Sequence, residues 1–352
     1  MKTRKRQRTG IRWRAAVLAV SFAAAAAQAD DKVVLKVAHF LPATANAQVR
    51  MIQPWCDKVA RESNARIVCQ IYPAMQLGGT PAQLFDQAKD GVADVVWTLQ
   101  TYSAGRFDKS AVFELPWMIS DTESGSKALW DFTHQYAMDE YRGVHPIFMH
   151  VHDGTLLHFT GKTPETLEDM KGLKIRAANR VNSQMLAAIG AAPVQMPLPA
   201  IPDAMAKGVV DGAAVPWEGV PAIKLDEIAR YHMDVPRGKP RMANSIFVFG
   251  MNQARYDSLP PDLKKIIDDN SGLETSGWAG RVAFDDMAAT FRQGAEANGN
   301  TFYYMPDIEY DRWVDATRVV DQEWVQSVDQ KGANGAELLL LARNLIRQYS
   351  AR

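Results

Sequence analysis

Between residues 33 and 99 the chain alternates β-type and helical runs, and from residue 173 the same alternation starts again. Residues 33–40 (VVLKVAHF), 66–72 (RIVCQIY) and 93–99 (ADVVWTL) are short apolar runs rich in Val and Ile. Helical stretches at 46–62 and 80–90 separate them. Thr80-Pro81 opens the second helix and Gly91 stops it. Strand–helix–strand connections of this kind belong to a parallel sheet covered by helices. A helix at 122–137 and strands at 144–151 and 157–160 follow.

The second round runs through a strand at 173–177 (LKIRA), a helix at 180–189, a strand at 192–195, a helix at 199–207 and a strand at 209–215. AKDGVADVVW (88–97) and AKGVVDGAAV (206–215) share one plan: a helix end, a glycine stop, then a Val-rich strand with an early Asp. Further on, the pattern predicts a strand at 242–251, a long helix at 261–297 bent at Gly272, Gly277 or Gly280, a strand at 301–305, and helices at 307–329 and 335–348. No Pro/Gly/Ser-rich linker divides the halves. The expected fold class is therefore α/β, with two halves hinged through ordinary strands. Ligands in open α/β sheets sit beyond the carboxyl ends of strands, so two such halves imply a cleft between them.

The first 29 residues stand apart. Lys2, Arg4, Lys5, Arg6, Arg8, Arg12 and Arg14 precede an apolar run at 15–27, which Ala27-Gln28-Ala29 closes. A basic stretch, a short apolar run and an A-x-A site are the parts of a secretory signal peptide. The run is shorter than the about 20 residues a membrane span needs. Cleavage is expected after Ala29, with a periplasmic destination. The whole chain balances 40 Lys+Arg against 40 Asp+Glu. The leader removes seven of the basic residues and no acid, so the exported chain is acidic. That argues against a nucleic-acid partner.

Export places Cys56 and Cys69 in an oxidising compartment. Cys56 lies on the helix at 46–62 and Cys69 on the next strand. A helix folding back on that strand can bring them together, so a structural disulfide is expected. Two buried thiols are the alternative.

No G-x-S-x-G, H-E-x-x-H, G-x-G-x-x-G or phosphate loop occurs. His150-x-His152 would share a strand face, but only Asp153 stands nearby as a third ligand, so no metal site and no cofactor are expected. The chain is not expected to be an enzyme. Arg176 is the informative charge. Strand alternation puts Leu173, Ile175 and Ala177 on one face and Lys174 and Arg176 on the other. Arg176 ends its strand where ligands bind, and a guanidinium fork matches a carboxylate. A surface ion pair is the plainer role for such an arginine.

Several stretches resemble one family. IYPAMQLGG (71–79), DGVADVVW (90–97), AVFELPWMIS (111–120), DMKGLKIRAANRVNSQMLAAIGAAPVQMP (169–197) and GVVDGAAVPWE (208–218) are similar, in order and spacing, to the DctP-type extracytoplasmic solute-binding proteins of tripartite ATP-independent periplasmic (TRAP) transporters. The resemblance implies a two-domain periplasmic binding protein fold with a long shared helix. It implies domains of 30–153 plus about 245–283, and 154–244 plus about 284–352. It implies a monomer that hands a small carboxylate to a permease of a small and a large subunit. Arg176, in LKIR, inherits the carboxylate-binding role.

The chain departs from the sialic-acid and dicarboxylate members of that family. Val215 stands for a pocket Asn, Leu156 for a second Arg, Leu198 for an aromatic and Leu99 for a pocket acid. Fewer polar groups imply a ligand with fewer polar groups, since an unpaired buried donor costs about 1–3 kcal/mol. The expected ligand is an apolar or aromatic monocarboxylate such as mandelate, benzoylformate or a hydroxybenzoate. Alternatives are a dicarboxylate or 2-oxo acid, or a sensory rather than a transport role. Phe40, Trp97, Leu198, Val215 and Trp217 would line the pocket. His39 or His152 would bond a further oxygen, assisted by Asn179 or Asn244. Glu218 and Gln100 would serve a cation-assisted variant of the site. Both tryptophans also fit a domain core, and Glu218 also fits a helix start.

Overall fold

The computed structural model describes residues 32–236 and 238–351. The signal peptide expected at residues 1–29 lies outside the described residues.

Two mixed sheets organise the chain. The first is built from β1 (Val33–His39), β2 (Ile67–Tyr72), β3 (Val95–Leu99), β4 (Val144–Val151) and the late strand β10 (Ile246–Asn252), in the order β2-β1-β3-β10-β4. β1 pairs in parallel with β2 and β3, while β10 enters antiparallel between β3 and β4. The second sheet is built from β5 (Leu156–Phe159), β6 (Lys174–Ala177), β7 (Ala192–Gln195), β8 (Gly212–Val215), β9 (Tyr231–Asp234) and β11 (Thr301–Tyr304). Its order is β11-β9-β5-β8-β6-β7. The expected two-domain α/β fold is what the chain adopts. All five residues of β3 are buried, as a strand covered on both faces requires.

The chain passes from the first sheet to the second after β4, returns after β9, and leaves again before β11. The connection after β4 turns at Gly154, whose φ is +88°. Gly91 and Gly208, the paired helix stops of the two halves, both have positive φ (+77° and +66°). That is the left-handed cap conformation glycine adopts without strain.

Short helices at Gly219–Ala222, Leu225–Ile228 and Gln253–Asp257 are additions to the sequence reading, and two larger elements differ from it. β9 has no counterpart there. Its run, YHMD, alternates Tyr and Met with His and Asp over only four residues, and it is held as a strand by pairing with β5 and β11. The long helix begins at Leu273 rather than residue 261. Gly272, at φ +100°, breaks the run, and its amide donates to the Ile147 carbonyl at 2.9 Å. Helix then continues from 273 to 297 through one wide turn at Arg281–Asp285. Carbonyls in that turn accept from side chains of the 46–52 region: Ala283 from Asn46, and Val282 from Arg50 Nε at 3.0 Å.

Helix Thr122–Phe132 packs on β4, on Leu273–Gly280 and on Gly335–Ser350. Helix Asp307–Asp329 starts directly after Pro306, carries Asp307 and Glu309 in its first turn, and packs on Arg180–Ala188 of the second half. Acids in that position complement the positive end of the helix dipole. Cys56 and Cys69 form a disulfide between helix Gln53–Glu62 and β2.

Candidate functional site

Strand ends from both sheets converge on one narrow cavity. Alternation decides which residues reach it. Trp97 and Leu99 come from β3, Ser245 and Phe247 from the start of β10, Arg176 and Ala178 from the end of β6, and Ala214, Pro216 and Glu218 from β8 and beyond. Each set keeps one parity. Phe40, Leu41, Tyr102, His152, Thr155 and Leu198 complete the lining.

One wall is a flat aromatic stack. Phe40 lies on Trp97 at 5.2 Å and 6°, and Trp97 on Phe247 at 5.0 Å and 9°. The Trp97 indole N–H donates to His150 Nε2 at 2.8 Å, so the buried ring leaves no donor unpaired. Leu41, Leu99 and Leu198 add aliphatic surface.

Arg176 forms the cationic end and is only 2% exposed. Its Nε donates to the Met196 carbonyl at 2.9 Å and its Nη1 to the Ala214 carbonyl at 2.8 Å. Five N–H groups are available and these two carbonyls take two of them, so N–H groups are left over for a ligand. Burial lowers the Arg176 pKa from its ordinary value, Tyr102 opposes the shift, and the group stays cationic. Among the described residues no carboxylate forms a salt bridge with it. A buried charge without a counter-charge is costly, and an anionic ligand would supply one.

The Tyr102 oxygen accepts from the Leu198 amide at 3.1 Å. Burial raises its pKa, so the phenol keeps its proton as a donor. That proton is available to a ligand beside Arg176. The sequence reading missed Tyr102. It sits in a short helical turn, Gln100–Tyr102, after β3, where strand periodicity no longer applies.

His152 and Glu218 supply the other polar groups. His152 Nδ1 accepts from the Gly154 amide at 2.9 Å, which puts the proton of the neutral ring on Nε2. Burial, then the neighbouring His150, Arg241 and Arg176, lower its pKa to about 3. The Glu218 Oε1 atom is buried without a hydrogen-bond partner. Burial pushes this carboxyl up to about 8, Asp153 adds to the push, and the Ala47 amide opposes it.

Phe40, Trp97, His152, Arg176, Leu198 and Glu218 thus meet at one cavity, and six other expected residues do not line it. Val215 and Trp217 have the opposite parity to Ala214 and Pro216. Trp217 packs instead on His158, His232 and Phe302 in the core of the second sheet. His39 spends both nitrogens on the protein, Nε2 on Gln48 Oε1 at 2.7 Å and Nδ1 on the Leu41 amide at 3.3 Å. Asn179 caps helix Arg180–Ala188 by accepting from the Asn182 amide at 2.8 Å. Asn244 is buried beside that helix, where its carbonyl accepts from Asn182 Nδ2 at 3.2 Å. Gln100 bonds the Phe247 carbonyl and Tyr141 rather than facing the cavity. Among the described residues no cluster of three His, Cys, Asp or Glu could hold a metal ion.

The profile described as "Bacterial extracellular solute-binding protein, family 7" (DctP) matches residues 37–327. A TRAP solute-binding protein from Rhodoferax ferrireducens T118, solved with copurified benzoate, is 46% identical at a TM-score of 0.89, covering 91% of this chain and 99% of that one. A TRAP solute-binding protein from a marine metagenome, described as specific for aromatic acid ligands and solved with 3-hydroxybenzoate, is 37% identical at a TM-score of 0.88, covering 90% and 99%. One from Bordetella bronchiseptica, with bound (R)- and (S)-mandelate, is 26% identical at a TM-score of 0.82, again covering 90% and 99%. With the family model matched from 37 to 327 and a 46% identical TRAP solute-binding protein covered over nearly its full length, this chain belongs to the DctP-type TRAP solute-binding proteins.

Proposed function

We propose that the protein is a periplasmic receptor for an aromatic monocarboxylate, which it captures between two lobes and delivers to a TRAP permease. The observation that carries this reading is the buried Arg176 guanidinium, fixed by two carbonyls and lacking a carboxylate partner among the described residues. The ligand carboxylate takes remaining N–H groups and the Tyr102 hydroxyl. Its ring lies against the Phe40–Trp97–Phe247 stack, whose planar faces suit an aromatic body. The relatives solved with benzoate, 3-hydroxybenzoate and mandelate support this ligand class.

The first lobe comprises the sheet of β1–β4 and β10, and the second the sheet of β5–β9 and β11. We assign helix Gly335–Ser350 to the first lobe because it packs on Thr122–Phe132. Residues 1–29 direct export and are removed. The protein works as a monomer and binds its ligand without chemical change.

A thermal-shift and calorimetric panel tests the reading. Benzoate, 3-hydroxybenzoate and mandelate are expected to stabilise the protein, and succinate and sialic acid are not. Stabilisation by succinate alone would refute it.

A further inference from the structure

The cavity lining carries two sets of polar groups that the carboxylate-receptor reading does not use equally. Arg176 and Tyr102 are one. Glu218 is another, 4% exposed, with Oε1 meeting no protein partner although the side chain lines the cavity. No salt bridge joins Glu218 to Arg176 among the described residues, and the charge that acts on Glu218 is Asp153, the residue after His152. A buried acceptor left open in an otherwise paired site is costly unless a ligand group meets it.

We propose that Glu218 reads a hydroxyl group on the ligand: an aromatic monocarboxylate anchored at Arg176 presents its hydroxyl to the open Glu218 oxygen. The inference rests on the receptor reading above and names the subclass of ligand. A hydroxyl suits this place because it both donates and accepts. It donates to Glu218 Oε1 and can accept from the Nε2–H of His152, the proton position set by the Gly154 amide on Nδ1. A second carboxylate suits it poorly. Among the described residues no cation bonds Glu218, and Asp153 already acts on it, so a further anion would be buried uncompensated. An ammonium suits it poorly as well, because the His152 N–H would face three N–H donors with no acceptor to offer them.

Glu218 holds its proton near neutrality because burial disfavours the carboxylate. The neutral acid can therefore also donate to the ligand oxygen. Glutamine keeps an acceptor and a donor at this position, and leucine keeps neither.

The test is calorimetry on the full-length exported protein with benzoate, the three hydroxybenzoate isomers and mandelate. At least one hydroxylated acid is expected to bind about tenfold or more tighter than benzoate, since pairing a buried polar group is worth about that factor. Glu218→Leu should erase that ratio, bringing the hydroxylated acid and benzoate to about equal affinity whatever the change in benzoate binding itself, and Glu218→Gln should retain most of it. The wild-type ratio and the isosteric Gln variant keep the proposal falsifiable if the Leu variant does not fold. Benzoate binding with no hydroxyl preference, or a preference unchanged in Glu218→Leu, overturns the Glu218 assignment alone. Failure of every aromatic acid to bind overturns the receptor reading, and this inference with it.

Discussion

Arg241 Nη1 lies 3.0 Å from Asp153 Oδ2, tying the chain where it leaves the first sheet to the chain where it returns. The same guanidinium reaches Asp234 through Nε at 3.4 Å. Asp153 follows β4 and Asp234 ends β9, so one side chain staples two of the crossings between the sheets. The Asp153 and Asp234 side chains are 3% and 9% exposed. Burial pushes Asp153 up to about 6, and Arg241 is the main force holding it down.

Arg241→Ala should therefore destabilise the fold by about 3 kcal/mol, because it leaves two buried carboxylates without their cation. Urea denaturation at pH 7 checks this. A loss under about 1 kcal/mol would show that water replaces the guanidinium and that the crossings are not stapled.

The disulfide closes a short loop, with a sequence separation of 13. Loop-closure entropy for that length is about 3 kcal/mol. Replacing both Cys56 and Cys69 with Ala should lower stability by roughly that amount. Ligand affinity should be unchanged, because neither residue lines the cavity. Thermal unfolding of the two forms, with and without ligand, measures both statements.

Glu114 makes a pH prediction with a definite sign. Its carboxyl is fully buried, with Oε1 accepting from Thr101 Oγ1 at 2.7 Å and the Ile246 amide at 3.2 Å. Burial raises its pKa to about 8. Between the ordinary value of 4.5 and about 8 the native state holds one more proton than the unfolded state. The stability it contributes is present below 4.5 and is lost as pH rises through about 8. Glu114→Gln removes that contribution. Between about pH 5 and about pH 7.5 the slope of unfolding free energy against pH should become more positive by up to about 1.4 kcal/mol per pH unit. Buried histidines act in the opposite direction. Burial lowers His150 and His158 from 6.5 to about 3, so their contribution is present above 6.5 and is lost as pH falls toward 3. Denaturation curves across that pH range separate the two trends. An unchanged slope in Glu114→Gln would mean the carboxyl is ionised in the native protein.

Much of the cleft was legible because strand-end position and alternation are local properties. Arg176 stood out at the end of LKIRA, but its carboxylate-binding role, like the pocket places of Trp97 and Leu198, came from the family resemblance. The 214–218 stretch shows where that legibility stops. Periodicity says that Val215 and Trp217 share a face, but only the neighbouring strands decide which face meets the cleft. β8 lies between β5 and β6, and that arrangement sends Ala214, Pro216 and Glu218 to the cavity and Trp217 to His158 and His232. β9 was illegible for a similar reason, since YHMD becomes a strand only through the partners on either side of it. His39 looked like a ligand because its use by Gln48 and Leu41 is a tertiary fact.

Tyr102 and Arg176 divide the anchoring of the ligand between them, and two substitutions tell their parts apart. Arg176→Lys keeps a positive charge but loses the fork that the Met196 and Ala214 carbonyls orient. An ammonium drawn toward those carbonyls has no parallel N–H pair left for a carboxylate. Affinity for benzoate should fall by about a hundredfold or more. Tyr102→Phe removes one hydroxyl, which strands the Leu198 amide and takes away one donor to the ligand. Its cost should be nearer about tenfold, as for a single hydrogen bond to a charged group. Calorimetry on both variants measures the two losses. If Tyr102→Phe binds benzoate as tightly as the unaltered protein, the phenol only holds Leu198 in place, and Arg176 carries the carboxylate alone.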